Sequence, residues 1–169
     1  MKGAANIDTV LAVPLMAGDV EYIFKHIWER GELEIKVFDI SMERAMEMVK
    51  CYIGMRHAYT VLDKYLPVAI FGCYETEPGY WRTWFLATDE FKGRLGIKVT
   101  RISHALIMEA SKADKMKQME SISALTHPLA ERWFRSLGFS KDSDYNVTVC
   151  GKPLYRFYIN FNTGAELCA

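Results

Sequence analysis

His127-Pro128-Leu129-Ala130-Glu131-Arg132-Trp133-Phe134-Arg135-Ser136-Leu137-Gly138-Phe139 is the stretch on which the reading of the chain turns. Ala130, Trp133, Phe134 and Leu137 recur at helical spacing. Pro128 suits a first helical turn, and Gly138 suits a C-terminal cap. The segment therefore predicts an amphipathic helix that stops at a glycine and runs into a strand at Phe139.

Working outward, residues 10–13 predict an opening strand. Asp19 is then expected to cap a helix with Val20, Ile23, Phe24 and Ile27 on one face and Gly31 at its end. Residues 32–39 read as a charged link. Ser41 is a second N-cap, followed by Met42, Ala45, Met46, Val49 and Ile53 at helical spacing. Residues 58–62, 68–74 and 81–87 are β-branched and aromatic runs separated by turn-rich segments at 63–67 and 77–79, which predicts an antiparallel meander. Gly93 and Gly96 open a helix with Val99, Ile102, Leu106 and Ala110 on its apolar face. A strand over 119–125, the quoted helix and strands over 145–149 and 154–159 complete the order. The fold class expected is α+β (mixed α/β): a central mixed, mostly antiparallel sheet of about six to seven strands with four main helices.

With 169 residues, half of them hydrophobic, the chain suits one core, and a single domain over 1–169 is expected, with 162–169 as a frayed tail. Lysine plus arginine and aspartate plus glutamate each number 21, so no net charge draws the protein toward nucleic acid, and no nucleic-acid partner is expected. No apolar run approaches the ~18 residues of a membrane span, and no targeting segment is read at the start. Cys51, Cys73, Cys150 and Cys168 form no close pair, and His26, His57, His104 and His127 are as dispersed, so no metal is expected.

The quoted stretch resembles a signature of the GCN5-related N-acetyltransferases (the GNAT fold), Asn-x-x-Ala-x-x-x-Tyr-x-x-x-Gly-Phe, with His127, Ala130, Phe134, Gly138 and Phe139 at its positions. The order of elements resembles that fold as well. The resemblance implies an acetyl-CoA or CoA site where the third meander strand meets the next helix, over Leu86, Ala87, Thr88, Lys92, Gly93, Arg94, Leu95 and Gly96. Unpaired N–H groups and the positive dipole end of a helix suit a pyrophosphate there, and glycines permit close approach. Asp89 and Glu90 oppose an anion unless they point away, and an ordinary strand-to-helix turn uses Gly93 and Gly96 equally well. The family's usual glutamate base and tyrosine acid have no counterpart: residues 81–87 carry no carboxylate, and Phe134 has no proton to give. His127 and Tyr155 remain as candidate catalytic groups. Each has a bland alternative, a residue ahead of a helix start and a strand packer.

Several segments also resemble the GNAT-like internal virion protein A group of podophages: Asp19-Val-Glu-Tyr-Ile with the following Glu32-Leu-Glu-Ile, Ser41-Met-Glu-Arg-Ala-Met, Pro67-Val-Ala-Ile-Phe-Gly72, Trp84-Phe-Leu-Ala-Thr-Asp89 and the quoted stretch. That resemblance implies a virion-associated or assembly component with phage or host protein partners. It would reside in the host cytoplasm or the particle, its acyl-CoA site reduced or reused. The alternative is an active acetyl-CoA-dependent N-acetyltransferase acting on an amine of a protein or small molecule.

Overall fold

The structure, a computed structural model, describes residues 10–124 and 128–161. Along the chain it has β1 (Val10–Pro14), α1 (Ala17–Lys25), α2 (Glu29–Val37), α3 (Met42–Lys50), β2 (Ala58–Asp63), β3 (Leu66–Glu77) and β4 (Tyr80–Ala87). There follow α4 (Gly93–Ala113), β5 (Gln118–Ser123), α5 (Pro128–Ser136), β6 (Ser140–Lys141), β7 (Val147–Val149) and β8 (Lys152–Asn160). The eight strands form one sheet in the order β1-β2-β3-β4-β5-β8-β6, with β7 also on β8. Every named pairing is antiparallel except β4 with β5. The α+β class and the mixed, mostly antiparallel sheet are as expected, with one more strand and one more helix.

The meander closes where its turns are cheapest. Lys64 and Tyr65 take φ of 48° and 71° in the two-residue β2–β3 turn, and Gly79 takes 83° between β3 and β4. Pro67, expected in the turn, lies in β3 beside a bulge at Val61/Leu62.

The extra helix corrects the reading of residues 32–39 as a link and of Gly31 as a helix end. The first helix stops at Lys25 because Ile27 bridges to Thr88 and the Trp28 N–H goes to the Ala87 C=O at 2.9 Å. Helix α2 then restarts with Trp28 as its extended N-cap, and Gly31 lies inside it. The Glu32–Lys36 pair supports it at the i, i+4 spacing, 2.6 Å apart. Asp19 is likewise no cap: it sits in the first turn of α1 and accepts from Thr60 Oγ1 at 2.7 Å. Ser41 does cap α3, accepting from the Arg44 N–H at 3.1 Å.

The core has two layers, one on each face of the sheet. Leu15, Val20, Ile23, Ala58 and Ile70 pack under α1 and α3, with Trp84 and Leu86 against them. On the other face α4 and α5 cover Phe71, Ala87, Phe134 and Phe157. The buried stripe of α4 runs through Val99, Ser103, Ile107 and Ala110, one residue round from the expected face, and Ile102 and Leu106 are its half-buried flank. Among the described residues no helix is long and apolar enough to cross a membrane.

Candidate active site

Strands β4 and β5 pair only at Tyr80↔Gln118, Trp81↔Met119 and Arg82↔Glu120, then diverge. Hydrogen-bond alternation shows what faces the opening. The Thr88 N–H bonds to the Val68 C=O, so along β4 Leu86 and Trp84 turn their main chain toward β3, while Thr83, Phe85 and Ala87 turn theirs toward β5. Phe161 bonds to Lys117, so along β5 Ser121 and Ser123 turn toward β8, while Ile122 and Ala124 turn toward β4. Past the Arg82↔Glu120 pair, whose ladder takes up the Thr83 N–H, the Thr83 C=O and the N–H and C=O groups of Phe85 therefore point into a gap.

Helix α2 straddles this gap on the α1/α3 face. At one end the Trp28 N–H holds the Ala87 C=O at 2.9 Å; at the other, Glu34 Oε1 accepts from the Ala124 N–H at 2.9 Å. Six residues of helix rise about 9 Å, roughly twice the spacing of paired strands. A β-carbon on Gly31 would lie 3.9 Å from Leu86 Cδ2, which sets the first turn of α2 over β4.

On the opposite face aromatic rings fill the gap. Trp133 of α5 lies 4.5 Å from Phe85 and 5.9 Å from Phe91, centroid to centroid, and donates its indole N–H to Thr100 Oγ1 at 3.0 Å. Beneath it a cavity of about 20 Å³ is lined by Thr83, Phe85, Ser103, Ile107, Ser121 and Trp133, among others. That is room for about one water. Ser103 Oγ is buried there with no hydrogen-bond partner among the described residues.

The α4 N-terminus stands at the open end of β4. Lys92 is its N-cap and makes no side-chain cap bond, and Gly93 opens the helix at φ 54° with open space where a β-carbon would be. The N–H groups of Gly93, Arg94 and Leu95 lack partners inside the helix, and its first turn holds no acidic residue. Asp89 and Glu90 are exposed, in a turn held by the buried Thr88, whose C=O takes the Phe91 N–H at 3.0 Å.

The residues singled out for a cofactor thus gather at one corner, though not all by their side chains. Leu86 points to the α1/α3 face, and Leu95 packs inward against the cluster containing Phe71, Ala87 and Val99. At Gly96 a β-carbon would meet Phe91 only at 3.7 Å, an ordinary contact.

The catalytic candidates separate. His127 lies outside the described residues, as does the expected tail at 162–169. Tyr155 is on the α4/α5 face, opposite Ser123 in register, with Lys141 Nζ 4.4 Å over its ring. Phe134 is core, stacked on Phe157 at 4.3 Å.

Two carboxylates that sequence reasoning missed border the gap. Glu120, the last residue of β5 paired with β4, accepts from Arg82 Nε at 2.9 Å and Nη2 at 2.5 Å, and from Arg156 Nε at 2.7 Å. Burial pushes its pKa up, but the two guanidiniums outweigh this and hold it below the usual range. Arg156 also reaches Asp142 and Gln118. Glu34 is half-buried as a residue, with its carboxyl deep enough that desolvation raises its pKa, against the lowering effect of Ala124 and Ser123. The one sequence signal that could have put Glu34 on a helix is the i, i+4 pair Glu32/Lys36, in a stretch read as a link.

Away from the gap, His57 hydrogen-bonds through Nε2 to Asp114, which also pairs with Arg56 at 2.6 Å. Burial, with the Asp114 charge, pushes the nearby Cys73 thiol up to about 12. Among the described residues no group of His, Cys, Asp and Glu is placed to hold a metal.

No family model matches the chain, and neither does any curated protein. Solved structures do. A GNAT-family acetyltransferase from Bacillus anthracis aligns with a TM-score of 0.68 at 10% identity, over 90% of this chain and 95% of that one. A variant of the spermidine N-acetyltransferase of Vibrio cholerae aligns with 0.66 at 13%, over 90% and 94%. The acetyltransferase AAC(6')-Ib in complex with ribostamycin and coenzyme A aligns with 0.63 at 16%, over 96% and 99%. None of these links the chain to a phage internal virion protein. At such identities the likeness speaks for the fold alone, and together with the diverging β4/β5 pair it shows that this chain has the GNAT acetyltransferase fold.

Proposed function

We propose that this protein is an acetyl-CoA-dependent N-acetyltransferase. The observation that carries the reading is the gap beyond Arg82, with the main chain of Thr83 and Phe85 turned into it and an uncapped helix N-terminus at its open end. The N–H groups of Gly93, Arg94 and Leu95, beside Lys92 and Arg94, suit the pyrophosphate, and the open space at Gly93 lets it approach the backbone. The N–H groups directed into the gap from β4 suit the pantetheine amides and the thioester oxygen, where charge develops. Bound acetyl-CoA supplies an activated acyl group. A neutral amine nitrogen then forms a bond to the acyl carbon, the carbon–sulfur bond breaks, and the proton that the acylated nitrogen loses balances the one that the thiolate takes up.

Neighbours that include a spermidine N-acetyltransferase support an amine as acceptor. The virion-component reading rests on no observation of the fold or its neighbours. Thiol release from acetyl-CoA, measured with spermidine, an aminoglycoside and peptides bearing free N-terminal or lysine amines, tests the proposal. Amine-dependent release is expected; release with none of them contradicts it.

A further inference from the structure

Glu34 hangs from α2 above the gap, and its carboxyl reaches into the plane of the sheet. Two contacts place it there. Ala124 is on the β5 parity that turns toward β4, and Glu34 Oε1 accepts its N–H at 2.9 Å. The carboxyl also meets the side chain of Ser123, whose parity is that of Met119 and Ser121, both under α4 and α5. A side chain rooted on one face that touches a residue directed to the other lies between the strands.

The parallel register fixes its level. From the last pair, Arg82 with Glu120, Leu86 and Ala124 are each four residues further along their diverging strands, and the first turn of α2 lies over Leu86 at Gly31. The Glu34 carboxyl is therefore held on the β5 side of the opening, whose β4 side carries the main chain of Phe85 and Ala87.

We infer that Glu34 receives the acceptor's ammonium group at the gap and takes its proton as the amine attacks the acyl carbon. This role rests on the acetyltransferase reading above. The acceptor class that follows is an amine protonated in solution, entering from the α1/α3 face while the thioester lies toward α4 and α5. Glu34 takes one proton from the ammonium and frees the nitrogen lone pair, the carbon–nitrogen bond forms as the carbon–sulfur bond breaks, and the second nitrogen proton passes to the departing thiolate. Glu120 cannot act as a second base, because Arg82 and Arg156 occupy both its oxygens, at 2.5 to 2.9 Å. The desolvation that raises the Glu34 pKa suits a base, because proton affinity nearer the working pH makes a carboxylate a better acceptor.

Glu34→Gln tests the role, since an amide oxygen still accepts the Ala124 N–H and the fold keeps that contact. The readouts are acetyl-CoA binding by calorimetry, the melting temperature, and kcat/KM against pH with the amine panel, with Glu34→Asp as the conservative variant. Expected are cofactor affinity within about two-fold of wild type, a fall in kcat/KM on the order of 10²–10⁴-fold, loss of the acidic limb of the pH profile and partial recovery with Asp. A purely structural Glu34 would lower the melting temperature and cofactor affinity and leave the shape of the pH profile unchanged, which overturns the role. Transfer by Glu34→Gln within about three-fold of wild type overturns it alone, whereas a wild-type protein that neither binds acetyl-CoA nor transfers to any amine overturns the acetyltransferase reading and the role together.

Discussion

Trp133 donates its indole N–H to Thr100 Oγ1 at 3.0 Å, and Thr100 in turn donates its hydroxyl to the Gly96 C=O at 2.7 Å. One chain of two bonds thus ties α5 to the first turns of α4, and the indole it holds fills the α4/α5 side of the gap against Phe85 and Phe91. On the proposed reading, a pantetheine running from the α4 N-terminus along β4 would pass this ring beside Phe91 and Phe85. Titration with CoA is expected to shift the wild-type tryptophan emission saturably, and Trp133→Phe is expected to lose most of that shift although Trp28, Trp81 and Trp84 remain. An equal shift in the variant would mean that the ring stays where it is.

Gly93 is the position at which charge alone tests the pyrophosphate corner. A β-carbon there meets nothing within 4 Å, and the backbone cost of φ 54° is about 1 kcal/mol. Gly93→Asp is expected to keep the fold and weaken CoA binding at least ten-fold by calorimetry, because a carboxylate takes the N–H groups meant for phosphate. Leu95→Gly, by contrast, removes a half-buried side chain packed on the core and loosens the helix start, and is expected to cost about 1–3 kcal/mol in denaturant unfolding.

The two carboxylates at the gap bend stability in opposite directions with pH. Glu34 has a folded-state pKa above the unfolded value near 4.3, so the folded protein holds its proton more tightly and stability falls as pH rises through that window. Glu120 has a folded pKa below the ordinary value, so its contribution is complete above that value and is lost as pH falls through the folded one. Unfolding free energies across pH 3–8 are expected to show the Glu34 slope vanish in Glu34→Gln. They are also expected to show the acid-side loss shrink in Glu120→Gln, which itself costs about 1–2 kcal/mol at neutral pH given the partly exposed arginines.

The quoted stretch has its own test in the core. Phe134 stacks on Phe157, which is 2% exposed. Phe157→Ala is expected to lose about 3–5 kcal/mol, measured by denaturant unfolding, and Phe134→Tyr to give no gain in transfer rate, since the ring points into the core rather than the gap.

Most of the fold was legible because its signals are local. The runs at 58–62, 68–74 and 81–87 are β-branched and aromatic and end at turns, and Ser41 and Gly138 mark helix ends by the chemistry of a cap and a positive φ of 89°. Helix α2 was not legible: of its apolar residues Leu33 is exposed, and only Ile35 and Val37 are buried, too few to set a period. Its start depends on Trp28 reaching Ala87, a contact across nearly sixty positions. The candidate corner at 86–96 could be read from glycines and a basic residue ahead of a helix. The gap could not, because it exists only where a parallel pair formed across α4 comes apart, and Glu34 and Glu120 matter only relative to it.

Thermal unfolding of the purified protein, with acetyl-CoA raised from micromolar to millimolar, tests the acetyltransferase reading most directly. A ligand that binds only the folded state at a hundred times its dissociation constant adds about 2.7 kcal/mol, roughly 5–10 °C for a domain of this size. The expected result is a saturable rise of that order with acetyl-CoA and CoA that Gly93→Asp abolishes. An unchanged melting temperature at every concentration would contradict it.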